Sequence, residues 1–254
     1  LVGLTNGTIT DGGTIDINEG TLAFTRMTAG NVGTVNVAPG ATMRYENYTS
    51  GSFGRTINLN GGRLHHMGDN FAAASNVVLD NGNIDVGGTR SPTLQGTVSG
   101  QELLKSGAGV LTLTAANTYT GTTTINSGEL VIGNQTTPGT LGAGPVVNYG
   151  VLRINRGDNT YVVNNTISGS GTLAIGQNGD APVTTSLVTL TGANDFTGNV
   201  NVSSGGLKIF NASALGVGPK NIALNNGAAG RSQLYLDIPS GPFYGFNRPG
   251  AKVS

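Results

Sequence analysis

The stretch "SGAGVLTLTAANTYTGTTTINSGELVI", residues 106–132, decides the fold. It returns further along the chain, loosened but recognisable, as "TSLVTLTGANDFTGNVNVSSGGLKI", residues 185–209. In both copies apolar and polar residues alternate, broken by Gly and Asn. Period-two alternation marks a strand with one buried face. Gly and Asn at the breaks supply the positive φ that a sharp turn requires. The first copy has no cysteine or histidine and a single charged residue, Glu129. Such a segment is either a site stated twice or a structural unit that tiles.

The same grammar runs outward in both directions. "TIDINEGTLAF", "TVNVAPGATMRY", "TINLNGGRLHHM" and "NVVLDNGNIDV" precede the first copy, and "VVNYGVLRI" and "NIALNNG" follow it. Helix signals are nearly absent. Turn glycines recur at Gly20, Gly40, Gly62, Gly82, Gly107, Gly128, Gly150, Gly171, Gly205 and Gly227. A near-constant spacing of about 21 predicts a solenoid. Leucine-rich repeats share that period, but their L-x-x-L-x-L frame is missing, and a β-sandwich would turn every ~8–12 residues. The expected fold is therefore all-β, a single-stranded parallel β-helix of about eleven coils. One further coil is expected inside the long gap from Gly171 to Gly205, near Leu187–Leu190. A lone coil buries too few aliphatic side chains to offset the ordering of its backbone, so stability must grow with coil number. Asn126, Asn225 and Asn226 are expected to ladder their amides from turn to turn.

Composition narrows the function. Charged residues make up 10% of the 254 residues, net charge is zero and there is no cysteine. Gly, Thr and Asn (43, 32 and 28 residues) supply about two residues in five instead. Nucleic acid and anionic membrane surfaces call for clustered Lys and Arg, which are missing, so neither is an expected partner. No apolar run reaches the ~20 residues of a membrane helix. Low charge without thiols suits a secreted or surface-exposed bacterial protein. The opening "LVGLTNGTIT" is already patterned like a repeat, as in a processed or excerpted product.

Residues 103–134, "LLKSGAGVLTLTAANTYTGTTTINSGELVIGN", resemble the autotransporter passenger-associated β-strand repeat. Lys105, Gly107, Gly109, Leu111, Leu113, Asn117, Tyr119, Gly121, Thr123, Ile125, Gly128 and Leu130 stand at the motif positions, with Ala115 where glycine is usual. The second copy keeps Leu190, Gly192, Asn194, Phe196, Gly198, Val200, Val202, Gly205 and Leu207 but lacks the Lys-x-Gly-x-Gly lead. The resemblance covers 103–236 and implies a right-handed β-helix on a bacterial cell surface, linked to passenger folding and extension. It implies no catalysis and no cofactor. The expected layout is one β-helix over 1–237, with divergent coils over 1–100, and an irregular tail over 238–254. The tail shows none of the alternating strands of an outer-membrane barrel, so a secretion route is not implied.

Chemistry has few candidates. Glycoside cleavage needs two carboxylates about 5–10 Å apart. The thirteen acids are scattered singly, and Asp80 and Asp85 flank the Gly82 turn. His65 and His66 would face opposite ways on a strand, so they make no joint metal site, and a surface pair is expected. Arg156-Gly157-Asp158 spells an integrin-recognition tripeptide that Gly-rich turns also produce by chance. Six Asn-x-Ser/Thr sequons reflect the composition. The tail carries Pro242, Phe243, Tyr244 and Phe246, which either cap the open end of the core or dock on the next molecule. The expectation is thus a structural stalk, passenger or filament subunit that self-associates end to end or continues in a longer chain. An adhesive role toward a polysaccharide or host-surface ligand is compatible with it. The alternative is a carbohydrate-binding or polysaccharide-cleaving β-helix.

Overall fold

A computed structural model describes residues 2–5, 12–25, 33–46, 56–66, 72–158, 160–177, 187–225 and 232–237. Every regular element among them is a strand, and every strand pairing is parallel. Four ladders run through the molecule, of nine, eight, five and four strands. Each strand pairs with its counterpart one turn further along the chain, as Leu111 with Leu130 and Leu173 with Val200. That is one strand per turn and per sheet, a parallel β-solenoid. Among the described residues no helix is long and apolar enough to cross a membrane.

Each ladder keeps one side-chain column inward. In the nine-stranded sheet the register runs Leu22, Met43, Leu64, Ile84, Lys105, Ile125, Asn148. A second inward column, Phe24, Tyr45 and His66, stacks rings at centroid distances of 6.3 and 5.0 Å. The eight-stranded sheet adds Leu111, Leu130, Leu152 and Leu173, all buried. These layers meet in one continuous apolar cluster along the described chain. The period-two alternation is what lets every turn add to it without a change of register.

The corners explain the glycine spacing. Gly20, Gly40, Gly61 and Asn81 occupy successive equivalent corners with φ of 69°, 77°, 69° and 54°. Glycine enters that left-handed region freely and asparagine at a cost, and elsewhere Gln135 also adopts it, with φ 72°. At Gly62 and Gly82 the demand is space, because a Cβ would run into Val37 and Leu59 of the preceding turn.

The ladders are offset along the axis. The nine-stranded sheet runs from Val2–Thr5 to Ile167–Ser168, and the eight-stranded sheet continues for two more levels, Val200–Val202 and Ile222–Leu224, so the described strands fill about eleven levels. The turn glycines mark different corners. Gly20, Gly40, Gly62 and Gly82 lead into the nine-stranded sheet, Gly128, Gly150 and Gly171 lead into the eight-stranded one, and Gly205 opens a strand of the four-stranded sheet. The gap from Gly171 to Gly205 holds no extra coil. Leu173 pairs directly with Val200, and Leu187–Leu190 is the four-stranded sheet's contribution to the same turn.

Candidate functional site

The repeat motif itself is built from inward-facing polar side chains. Lys105 is fully buried in the aliphatic column between Ile84 and Ile125. Its Nζ donates to the carbonyls of Ser106 (3.0 Å), Gly107 (2.8 Å) and Ser127 (3.0 Å). The lysine therefore staples its own corner, where Gly107 has φ 75°, to the corner of the next turn. Burial lowers its pKa to about 8, opposed in part by the Glu129 charge. Asn148 does the same two turns on with an amide, donating to the Thr172 carbonyl and accepting from the Gly150 N–H.

Asn117 and Asn194, the motif asparagines of the two copies, act as clasps across three turns. Asn117 accepts from the Val98 N–H at 2.9 Å and donates to the Thr140 carbonyl at 2.7 Å. Asn194 accepts from the Ile167 N–H at 2.7 Å and donates to the Ala214 carbonyl at 2.6 Å. Two residues beyond Asn117, Tyr119 is buried with its hydroxyl 2.8 Å from the buried Thr123 hydroxyl, and burial raises its pKa. All of these groups satisfy backbone or side-chain hydrogen bonds inside the stack. The motif is structural.

Outside the stack, one cluster has the residue types of a hydrolase. His65, Asp85 and Ser106 are consecutive partners on the outer face of the nine-stranded sheet. Asp85 bonds Arg63 and His65 through one oxygen and Ser106 through the other, the last at 3.2 Å. The order is wrong for nucleophilic catalysis. The carboxylate sits between serine and histidine, whereas a base must reach the nucleophile's proton. His65 is held below its ordinary pKa by burial and by the Arg63 and Arg44 charges. His66, expected at the surface, is instead buried against Tyr45, and burial pushes its pKa to about 3. A strand with a histidine pair on an alternating pattern has to bury one of them.

Two further candidates fall on geometry. Asp16 and Asp80 both face outward on the five-stranded sheet. Three strand spacings separate their strands, about 14 Å, which exceeds the reach of a two-carboxylate glycosidase. The Arg156-Gly157-Asp158 tripeptide is closed on itself. Arg156 is buried, bonds both Asp158 oxygens and the Gly139 carbonyl, and lies 4.0 Å from the Tyr161 ring centroid. A receptor would have to dismantle this to take either side chain. Among the described residues no group of three or more His, Cys, Asp or Glu could hold a metal ion.

Two surfaces remain. The outer face of the five-stranded sheet carries an amide ladder: Asn36 donates to Asp16 at 2.6 Å and Asn58 to Asn36 at 2.7 Å. The turns are the expected place for such laddering. It occurs mainly on this strand face, where register brings identical side chains together, although Asn225 does donate to Asn201 at 2.6 Å. Asn226 lies outside the described residues. The second surface is the C-terminal turn, where Phe210, Val217, Leu224, Tyr235 and Leu236 are exposed. Pro242, Phe243, Tyr244 and Phe246, the expected cap or contact, lie outside the described residues.

Comparison with known proteins follows the same division. The family model of the passenger-associated-transport-repeat matches residues 103–132 and 187–209. The adhesin BmaC autotransporter of Brucella suis biovar 1 (strain 1330) is 32% identical over 139 residues, covering 45% of this chain and 4% of the adhesin. Two short matches are of another kind. The bifunctional esterase/perhydrolase DCH of Acinetobacter calcoaceticus is 83% identical over 24 residues, 9% of each chain. The non-heme chloroperoxidase of Streptomyces lividans is 74% identical over 27 residues, 11% of this chain and 10% of its own. The chain spans a tenth or less of the length of each of these relatives. Segments of 24 and 27 residues are too short to bring a catalytic domain with them. No solved structure matches the chain. Through its two repeat copies the chain resembles, in sequence, the passenger-associated-transport-repeat family and an autotransporter adhesin.

Proposed function

We propose that this chain is a rigid, non-enzymatic β-helical segment of a secreted or surface-exposed bacterial protein, serving as stalk, passenger or filament subunit with an adhesive role. Residues 1–237 act as one solenoid that extends end to end, by stacking on a second copy or by continuing into further turns of a longer chain. One observation carries this reading. The strands Ile222–Leu224 and Ser232–Leu236 come last in their ladders among the described residues, and most of the exposed large apolar side chains gather on that same turn. A parallel ladder whose last described strands carry apolar surface is the complement of one more turn. The resemblance to passenger repeats and to an adhesin autotransporter supports the surface location and the adhesive role.

Negative-stain microscopy over a range of protein concentrations tests it. About eleven strand levels at ~4.8 Å each give rods on the order of 50 Å long, with multiples of that length expected as concentration rises. Isolated rods at every concentration would remove end-to-end stacking of copies, and compact particles would remove the rod itself. Incubation with soluble polysaccharides should release no new reducing ends.

A further inference from the structure

The outer face of the five-stranded sheet differs from its neighbours. The nine-stranded sheet carries the Arg44–Glu46 and Arg63–Asp85 ion pairs outward, and the eight-stranded sheet carries Glu129–Arg153. The five-stranded sheet presents Thr14, Thr34, Thr56 and Asn76 in one column. Asp16, Asn36, Asn58, Val78 and Ser99 form the next, and Asn60 and Asp80 begin a third. No lysine or arginine stands on it among the described residues. Hydroxyl and amide groups therefore repeat every ~4.8 Å along the solenoid axis and every ~6.6 Å across it.

The amides are ordered before anything binds. Asn36 and Asn58 each spend one N–H on the residue of the preceding turn, which fixes the side chain and leaves a second N–H to donate. At Val78 the ladder stops, so the Asn58 carbonyl oxygen receives no side-chain donor from that position of the following turn. Asp80 is oriented by Gln101 at 2.9 Å and Asn81 at 3.1 Å. Between these columns lies a shallow trough of about 330 Å³ lined by Asn36, Asn58, Leu59, Asn60, Val78 and Asp80. Side chains already held in place lose little rotamer freedom when they take a ligand.

We propose that this face binds an uncharged polysaccharide, laid along the solenoid axis with its hydroxyls on Asn36, Asn58 and Asn60 and the apolar face of one sugar ring on Val78. The chemistry selects this ligand. A repeating row of fixed amides, with the Asp16 and Asp80 carboxylates as further acceptors and no cation among them, matches a repeating row of hydroxyls. The missing cations exclude nucleic acid and sulfated glycans, and Val78, with Leu59 buried beside it, gives no core for a protein interface. The proposal deepens the adhesive part of the reading above. It does not depend on end-to-end stacking, so rods in the microscope and glycan binding can fail separately.

Affinity electrophoresis of the full chain through gels containing hydroxyethylcellulose, laminarin or dextran tests it, with heparin as the anionic control. Retardation by at least one neutral glycan is expected and should persist in high salt, because no ion pair is involved. Asn36→Ala/Asn58→Ala should weaken it about ten-fold, two lost hydrogen bonds, with an unchanged circular dichroism spectrum. Thr124→Lys, on the nine-stranded sheet, should leave it unchanged. No retardation in any neutral gel, retardation by heparin alone, or binding that survives the double substitution would each overturn the assignment.

Discussion

The two repeat copies, 103–132 and 187–209, solve the same packing problem with partly different residues. Asn117 and Asn194 make the same clasp, each tying an N–H one turn below to a carbonyl one turn above. Gly121 and Gly198 also coincide, and a Cβ on either would strike the backbone of the preceding turn, at Gln101 and at Gly171. What differs is the pair beside them. Tyr119 and Thr123 share a hydroxyl–hydroxyl bond, while Phe196 and Val200 replace both members by apolar residues and stay buried. Losing both partners of a buried hydrogen bond is nearly neutral, whereas losing one is not. Positions that serve the backbone are thus held, and positions that serve each other change together.

This contrast can be broken at graded cost. Gly198→Ala should be the most damaging, by about 4 kcal/mol or more, because two backbones would have to move apart. Gly20→Ala, at a left-handed corner with open space, should cost only about 1 kcal/mol. Denaturant unfolding of the two variants measures the difference. Next, Asn117→Leu should cost about 3 kcal/mol, since the Val98 N–H and the Thr140 carbonyl lose their partner. Thr123→Val should cost about 1–2 kcal/mol alone, and adding Tyr119→Phe should recover most of it. Additive losses in that cycle would mean that the two copies differ for some other reason.

Lys105 sharpens the comparison by pH, because the second copy has no counterpart. Its folded pKa, about 8, lies below the ordinary value of 10.5 that it regains on unfolding. Between those limits the unfolded chain binds the extra proton, so stability should rise as pH increases from about 8 to 10.5. Lys105→Met should remove that slope relative to the parent chain in thermal melts spanning this window. The smallest effect is expected at the exposed Lys208–Asp237 pair, where Lys208→Ala should cost less than about 1 kcal/mol.

Much of this architecture was legible because the solenoid imposes two simple periods. Alternation tells which residues of "VLTL" and "TTTI" face inward, and the recurring glycines imply stacking. Which sheet each strand joins was not legible, since glycines at three different corners look alike in sequence. Burial of Lys105 and His66 was hidden for a related reason. Hydropathy reads a charged or polar residue at an inward position as a break, yet Lys105 finds three carbonyls at a corner and His66 a ring to stack on. The outward ladder of Asp16, Asn36 and Asn58 was written plainly in "TIDI", "TVNV" and "TINL", but only the register of three strands brings it together.

The central claim is that successive turns stack in register along one axis, and distances between spin labels test it most directly. The chain has no cysteine, so labels can be placed at will. Thr21, Asn83, Leu104, Thr124 and Val147 belong to one column of the nine-stranded sheet. A label at Thr21 is paired in turn with one at Asn83, Leu104, Thr124 or Val147. The separation should begin at ~14 Å and grow by ~4.8 Å, one strand spacing, with each turn added. Separations that fail to grow with each turn would contradict the solenoid.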